Sequence, residues 1–240
     1  MSIEGSTAPP QPRPHAVVSG SSSGIGRAIA LALLDAGWQV SGLDAAPASI
    51  THAAFAGHAI DLRDGAAIAR LCATLPPAQA LVHAAGVLRV GPLGQLDAEA
   101  GELMWRLHVD AASRLADALV PGMAARGLGR VVFVGSRVAQ GMPGRSQYAA
   151  TKAALVALAR SWGAEVAAQG VTVNVISPAA TATGMLQDPA RAGSAPRLPP
   201  IGRLIEPAEI AALATFLLSP QAAAITGQDI AICGGSSLPR

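Results

Sequence analysis

The sequence predicts an α/β domain: a parallel sheet of about seven strands with helices on both faces. Three observations carry this. Short strand-like segments alternate with helix-like segments along the chain, the pattern of βαβ units joined by right-handed crossovers. The strand segments are rich in Val and Ile and mostly apolar throughout, as strands buried on both faces are. A glycine-rich turn, Gly20-Ser21-Ser22-Ser23-Gly24-Ile25-Gly26, joins the first strand to the first long helix.

In chain order, strands are expected at Ala16–Ser19, Gln39–Asp44, His58–Asp61, Ala80–Ala84, Arg130–Gly135, Val171–Ile176 and Asp229–Cys233. Helices are expected between them at Gly24–Ala36, Asp64–Leu75, Ala98–Arg126, Tyr148–Gln169 and Pro207–Leu218. Gly37, Gly127 and Gly170 follow three of these helices, as C-terminal stop signals do. Residues 1–14 carry four prolines and read as a disordered N-terminal extension. Residues 15–240 read as a single dinucleotide-binding domain, with no internal repeat. The loosest internal stretch, Gly184–Ile205, holds four prolines and three glycines and is the expected mobile lid.

The bulk composition narrows the function classes. Of 240 residues, 51% are hydrophobic and 13% charged, with mean hydropathy +0.41, which fits a large core and further burial between subunits. A net charge of +2, with no basic cluster interleaved with aromatics, argues against nucleic acid as a partner. No apolar run approaches the ~20 residues of a membrane span, and the first residues lack the apolar core of a signal peptide. Cys72 and Cys233 are expected to be free thiols in a reducing cytoplasm. No metal site is expected.

The glycine turn has the layout of a phosphate-binding loop. Gly20 permits the tight turn, Gly24 lets the backbone approach a pyrophosphate, and Gly26 lets helix and strand pack closely. The helix N-terminus offers free N–H groups and partial positive charge, and Ser22 and Ser23 are candidate hydroxyl donors. Asp44 ends the second strand, 24 residues after Gly20. An acid there accepts from the adenosine ribose and repels a 2′-phosphate by as much as about 4 kcal/mol at ~4 Å and an effective dielectric of ~20. Ala45 and Ala46 follow, so no arginine waits there for a phosphate. NAD(H) is therefore expected over NADP(H). Asp61, with Leu62 beside it, is a candidate acceptor for the adenine amino group, or else the N-cap of the next helix.

Tyr148 and Lys152 stand four residues apart, one helical turn, and Tyr148 is the only tyrosine in the chain. A free phenol titrates near pKa ~10, and a neighbouring ammonium favours the phenolate. Such a phenol can exchange a proton with an alcohol oxygen near neutral pH. Ser136 stands at the carboxyl end of a buried strand, where ligands bind in open α/β sheets.

Together these residues resemble the short-chain dehydrogenases/reductases over residues 15–238. The resemblance rests on the Gly20–Gly26 loop, Ala85-Gly86, Ser136, Tyr148-x-x-x-Lys152, and Pro178 with Thr183. It implies a doubly wound Rossmann-type sheet of order 3-2-1-4-5-6-7, and a homotetramer or homodimer built on the two long middle helices. It implies Tyr148 as general acid/base, Lys152 lowering its pKa and binding the nicotinamide ribose, and Ser136 polarising the substrate oxygen. Ala85 and Gly86 would line the cofactor near its adenosine end, and Pro178, Thr181 and Thr183 would hold the nicotinamide carboxamide. Within the family, Ala85-Gly-Val-Leu-Arg-Val-Gly91 and Gly227-Gln-Asp-Ile look most like the NAD-dependent 2,3-dihydro-2,3-dihydroxybenzoate dehydrogenases.

Several positions depart from the family pattern. Where the family has a helical asparagine completing a catalytic tetrad, this chain has His108; Asp110 is a rival under a shifted alignment. In the family that residue's main-chain carbonyl, at a local irregularity of the helix, holds a water contacting the lysine, and a carbonyl survives the change to histidine. The His108 imidazole is also a candidate member of the relay; the alternative is a histidine that only packs, in an impaired enzyme. His83 replaces a family asparagine that ties the central sheet together, and reads as structural. Ala179 and Cys233 also differ, away from the expected chemistry. The expected activity is NAD-dependent interconversion of a secondary alcohol and a ketone, with an NAD-binding scaffold or a ketoacyl reductase as alternatives. Arg89, Arg137 and Arg145 are near the expected mouth, either as solvated surface groups or as receivers of an anionic substrate.

Overall fold

The computed structural model describes residues 13–188 and 197–238. Seven parallel strands form one sheet: β1 His15–Ser19, β2 Gln39–Asp44, β3 Phe55–Ala59, β4 Ala80–His83, β5 Gly129–Val134, β6 Val171–Pro178 and β7 Asp229–Ile232. Their order is β3-β2-β1-β4-β5-β6-β7, as the family resemblance implies. The direction of winding reverses beside β1, between β1 and β4, which opens a crevice at the carboxyl ends of those strands.

The strands alternate between two cores. Val17, Leu81, Val131 and Val173 face one core, and Ala16, Val18, Val82 and Val132 face the other. Both sets are apolar because both faces are covered. Helices α2 Gly65–Cys72, α4 Ala111–Ala125 and α5 Ser146–Val166 cover the first face, and α1 Gly24–Asp35 and α6 Pro207–Leu218 the second. Helix α1 buries Gly26, Ile29, Ala30, Leu33 and Leu34, one stripe at helical spacing. Gly37 after it, Gly127 and Gly170 all have positive φ, as their stop-signal positions demand.

Most boundaries shift by one to three residues, and two expected elements differ in kind or place. The third strand begins at Phe55 rather than His58, and ends at Ala59. It is the sheet edge and half exposed, so apolar run length is a poor guide there; the buried Ile60 and Leu62 lie past its end. The expected helix Ala98–Arg126 is interrupted: α3 Ala98–Trp105 passes through a π turn, Arg106–Asp110, into α4. A π turn carries an extra residue and shifts the bonding to i→i−5, here Ala111 N–H to Arg106 O. Most of the expected extension 1–14, residues 189–196 of the expected lid, and residues 239–240 lie outside the described residues. Among the described residues, no helix is long and apolar enough to cross a membrane.

Candidate active site

The carboxyl ends of the strands open into one cleft of about 1080 Å³, lined by every expected site residue except Ser22. At its centre the chain makes the glycine turn with Gly20 at φ 70°. A side chain at Gly20 would strike the Ala85 amide at 2.8 Å, and one at Gly26 would run into the Gly20 carbonyl. Loop, helix and β4 exit therefore pack main chain against main chain. Ser23 is the N-cap of α1 yet makes no side-chain cap bond, and no acid stands in the first turn. The positive end of the helix is left for a ligand's phosphates, and the site fits a dinucleotide. Ser22 departs from expectation: it does not line the cleft, and its hydroxyl donates to Ala46 O at 3.3 Å.

Asp44 lines the cleft and braces the loop. Its carboxylate accepts from the Ser22 amide at 3.0 Å and the Ala46 amide at 2.9 Å. Asp61 is not a helix N-cap; Asp64 caps α2, accepting from the Ala66 and Ala67 amides. Asp61 instead pairs side-on with Arg63, whose Nη2 lies 2.7 Å away. Arg63, two residues on, also lines the cleft and was not singled out from sequence.

At the other end, Ser136 follows β5 and caps a short 3₁₀ turn, its Oγ accepting from the Val138 amide at 3.2 Å. Tyr148 and Lys152 share the buried face of α5. Lys152 Nζ lies 5.8 Å from the centre of the Tyr148 ring and donates to Val134 O at 2.9 Å. Burial lowers the Lys152 pKa from 10.5 to about 7. Pro178 ends β6, and Thr183 leans over the loop, its Cγ2 within 3.3 Å of where a Cβ on Gly24 would be. Arg89 Nη1 pairs with Asp188 Oδ2 at 3.0 Å, tying the start of the expected lid to the segment after β4. Arg137 and Arg145 line the cleft.

His108 lies in the π turn, buried, and lines the cleft; Asp110 does not line it. Its Nε2 accepts from the Val87 amide at 3.0 Å and its Nδ1 meets Thr151 Oγ1 at 2.8 Å. Both ring nitrogens are thus engaged, which leaves no nitrogen for a water or substrate and goes against the imidazole as a relay member. His83 connects β1 to the π turn, meeting Ser19 Oγ at 2.8 Å and Leu107 O at 3.1 Å. Thr151, Val87 and the Val134 carbonyl had not been singled out. Only Thr151 carried a signal, its place immediately before Lys152.

A doubly wound sheet, a glycine loop opening α1 and a Tyr-Lys pair in one cleft define a dinucleotide-dependent oxidoreductase. A family profile described as enoyl-(acyl carrier protein) reductase matches residues 20–237. The chain is 37% identical to the 2,3-dihydro-2,3-dihydroxybenzoate dehydrogenase of Escherichia coli (strain K12), over 92% of this chain and 96% of that one. It is 34% identical to a 3-oxoacyl-(acyl-carrier-protein) reductase of Vibrio harveyi, with the same coverage. Among solved structures, a short-chain dehydrogenase/reductase family protein superposes with TM-score 0.82 at 33% identity, covering 92% of this chain and 96% of that chain. An actinorhodin polyketide ketoreductase variant with NADPH gives TM-score 0.86 at 26% identity, covering 95% and 98%. This chain belongs to the short-chain dehydrogenase/reductase family, enzymes that use a nicotinamide cofactor and act between CH–OH and keto groups.

Proposed function

We propose that the protein is an NAD(H)-dependent oxidoreductase that interconverts a secondary alcohol and a ketone, with Tyr148 as general acid/base. The observation that carries this is the Tyr148–Lys152 pair, buried side by side in the cleft that Ser136 and the glycine loop also line. The α1 N-terminus and Gly20–Gly26 hold the pyrophosphate, and Asp44 accepts from the adenosine ribose. Asp61 and Leu62 flank the adenine, Ala85 and Gly86 line the same end, and Pro178, Thr181 and Thr183 hold the carboxamide. The bound nicotinamide supplies or accepts the hydride. For alcohol oxidation, the Tyr148 phenolate takes the hydroxyl proton while Ser136 Oγ donates to the substrate oxygen. Lys152 favours the phenolate and reaches the nicotinamide ribose.

The preference for NAD(H) rests on Asp44, a cleft-lining carboxylate that would repel a 2′-phosphate, with Ala45 and Ala46 beyond it. One of the similar proteins, the 2,3-dihydro-2,3-dihydroxybenzoate dehydrogenase, is named for a carboxylate-bearing substrate. A hydroxy acid therefore heads the substrate panel. Cys72 and Cys233 are unpaired, which supports a reducing cytoplasm, and the family supports a dimer or tetramer.

The test follows reduced-nicotinamide absorbance on purified protein with hydroxy acids and neutral alcohols. Turnover with NAD, lost by about 10²–10⁴-fold in Tyr148→Phe with cofactor affinity kept, is expected. Tight NAD binding with no turnover across the panel would make the protein a scaffold, and a clear NADPH preference with ketoacyl substrates would make it a ketoacyl reductase.

A further inference from the structure

His83 and His108 are both fully buried, with Lys152 beside them. Their hydrogen bonds assign the protons. Ser19 Oγ accepts from the Ala84 amide at 3.1 Å and the Ala85 amide at 3.2 Å, so its own proton points to His83 Nδ1. His83 Nε2 faces the Leu107 carbonyl, an acceptor only, and carries the ring proton. His108 has the opposite tautomer. Its Nε2 accepts from the Val87 amide, so the proton sits on Nδ1 and is donated to Thr151 Oγ1. Thr151 in turn donates to the Tyr148 carbonyl at 2.8 Å.

The bonds therefore run from β1 through His83 to the π turn, and from His108 in that turn to α5. They reach α5 at Thr151, the residue beside Lys152. The segment after β4 leaves room for this: a Cβ on Gly86 would lie 2.9 Å from His108 Nε2 and 3.6 Å from Lys152 Nζ. The ring of His108 stands edge-on to Tyr148, centroids 5.6 Å apart.

We propose that His83, His108 and Thr151 are positioning residues, a neutral clamp that fastens the π turn between the central sheet and α5 and so keeps Tyr148 and Lys152 aligned with Ser136. The groups facing the two rings are Ser19 from β1, Phe133 from β5, Tyr148, Thr151 and Lys152 from α5, and each other; the only formal charge among them is the Lys152 ammonium. A protonated ring would be buried against that cation. Burial first, then Lys152, holds the His83 pKa at about 3 and that of His108 well below the ordinary histidine value. An imidazole presents donor and acceptor from two edges of a rigid ring, so His108 joins Val87 to Thr151 without changing charge.

The role in catalysis rests on the proposed function; the clamp itself is read independently of turnover. Nitrogen-15 histidine spectra of the wild-type protein with NAD bound should show His83 as the Nε2–H tautomer and His108 as Nδ1–H, neither titrating between pH ~5 and ~9. Thr151→Val keeps the side-chain shape and removes the hydroxyl. It should lower kcat about tenfold with cofactor KM within about twofold, Thr151→Ser should restore the rate, and His83→Asn should add less than its separate factor on top of Thr151→Val. Either ring titrating in that range, or the other tautomer, overturns the proposal whether or not any substrate is turned over. So does a Thr151→Val enzyme with unchanged kcat and pH–rate profile. Absence of turnover with both tautomers as assigned removes the proposed function and leaves the clamp standing.

Discussion

Replacing Lys152 with methionine should make the protein more stable at neutral pH while abolishing its activity. The Lys152 pKa falls from 10.5 to about 7 because its ammonium is buried. At about 1.4 kcal/mol per pKa unit, the folded state disfavours that charge by as much as ~5 kcal/mol. Between pH 7 and 10.5 the unfolded chain holds the proton more tightly than the folded one, so stability rises with pH across that window. Below it the cost is fully present; above it the cost is gone. Methionine removes the charge but leaves the Val134 carbonyl without the donor it has at 2.9 Å, a loss of about 1–3 kcal/mol. The variant should therefore exceed the wild type by roughly 2–4 kcal/mol near pH 6, and fall to equal or below it near pH 10. Urea unfolding of both proteins across this range, without cofactor, measures the difference directly. A difference that does not change with pH, or a wild type more stable at pH 6, would refute the burial argument. If it holds, the active-site charge is carried below pH ~7 at the expense of the stability of the fold.

Other substitutions probe the cofactor end. Asp44→Ala should move the NAD-to-NADP ratio of kcat/KM toward NADP by at least ~10-fold, since about 4 kcal/mol of charge repulsion is the upper limit of what the carboxylate contributes. Steady-state kinetics with both cofactors reads this, and an unchanged ratio would leave the preference without a cause. Gly26→Ala would place a Cβ 2.7 Å from the Gly20 carbonyl carbon, main chain that cannot swing aside. It should cost about 3 kcal/mol or more and remove NADH binding, measured by urea unfolding and by NADH fluorescence titration. Tyr148→Phe, by contrast, should leave NADH affinity intact in the same titration.

How far the sequence could be read depended on whether a signal was local. Gln39–Asp44 and Pro207–Leu218 were read to the residue, because β2 is a buried run ending in an acid and α6 opens with proline in its first turn. The edge strand β3 was misplaced because a strand with one neighbour and half-exposed residues has no apolar run to betray it. The resemblance implied only a local irregularity of the helix at His108; that it is a π turn with one extra residue shows in the bond from the Ala111 amide to the Arg106 carbonyl. Among the site residues, Ser22 was placed in the cleft by its neighbours in sequence, while its hydroxyl found the Ala46 carbonyl, which only the bend after β2 brings within reach. Thr151 and Val87 were missed because each acts through a partner 43 or 21 residues away.

The sequence by itself determined the fold class, the glycine loop before α1, and the Tyr148–Lys152 pair, since each rests on spacing within a few residues. Strand order needed the family resemblance as well. Only the tertiary structure decided what surrounds that pair. The burial of Lys152 that brings its pKa to about 7 is a property of β5, α5 and the π turn packed together. So are the opposite tautomers of His83 and His108, because a ring proton is assigned by the partners on both sides, and those come from four separate stretches of chain.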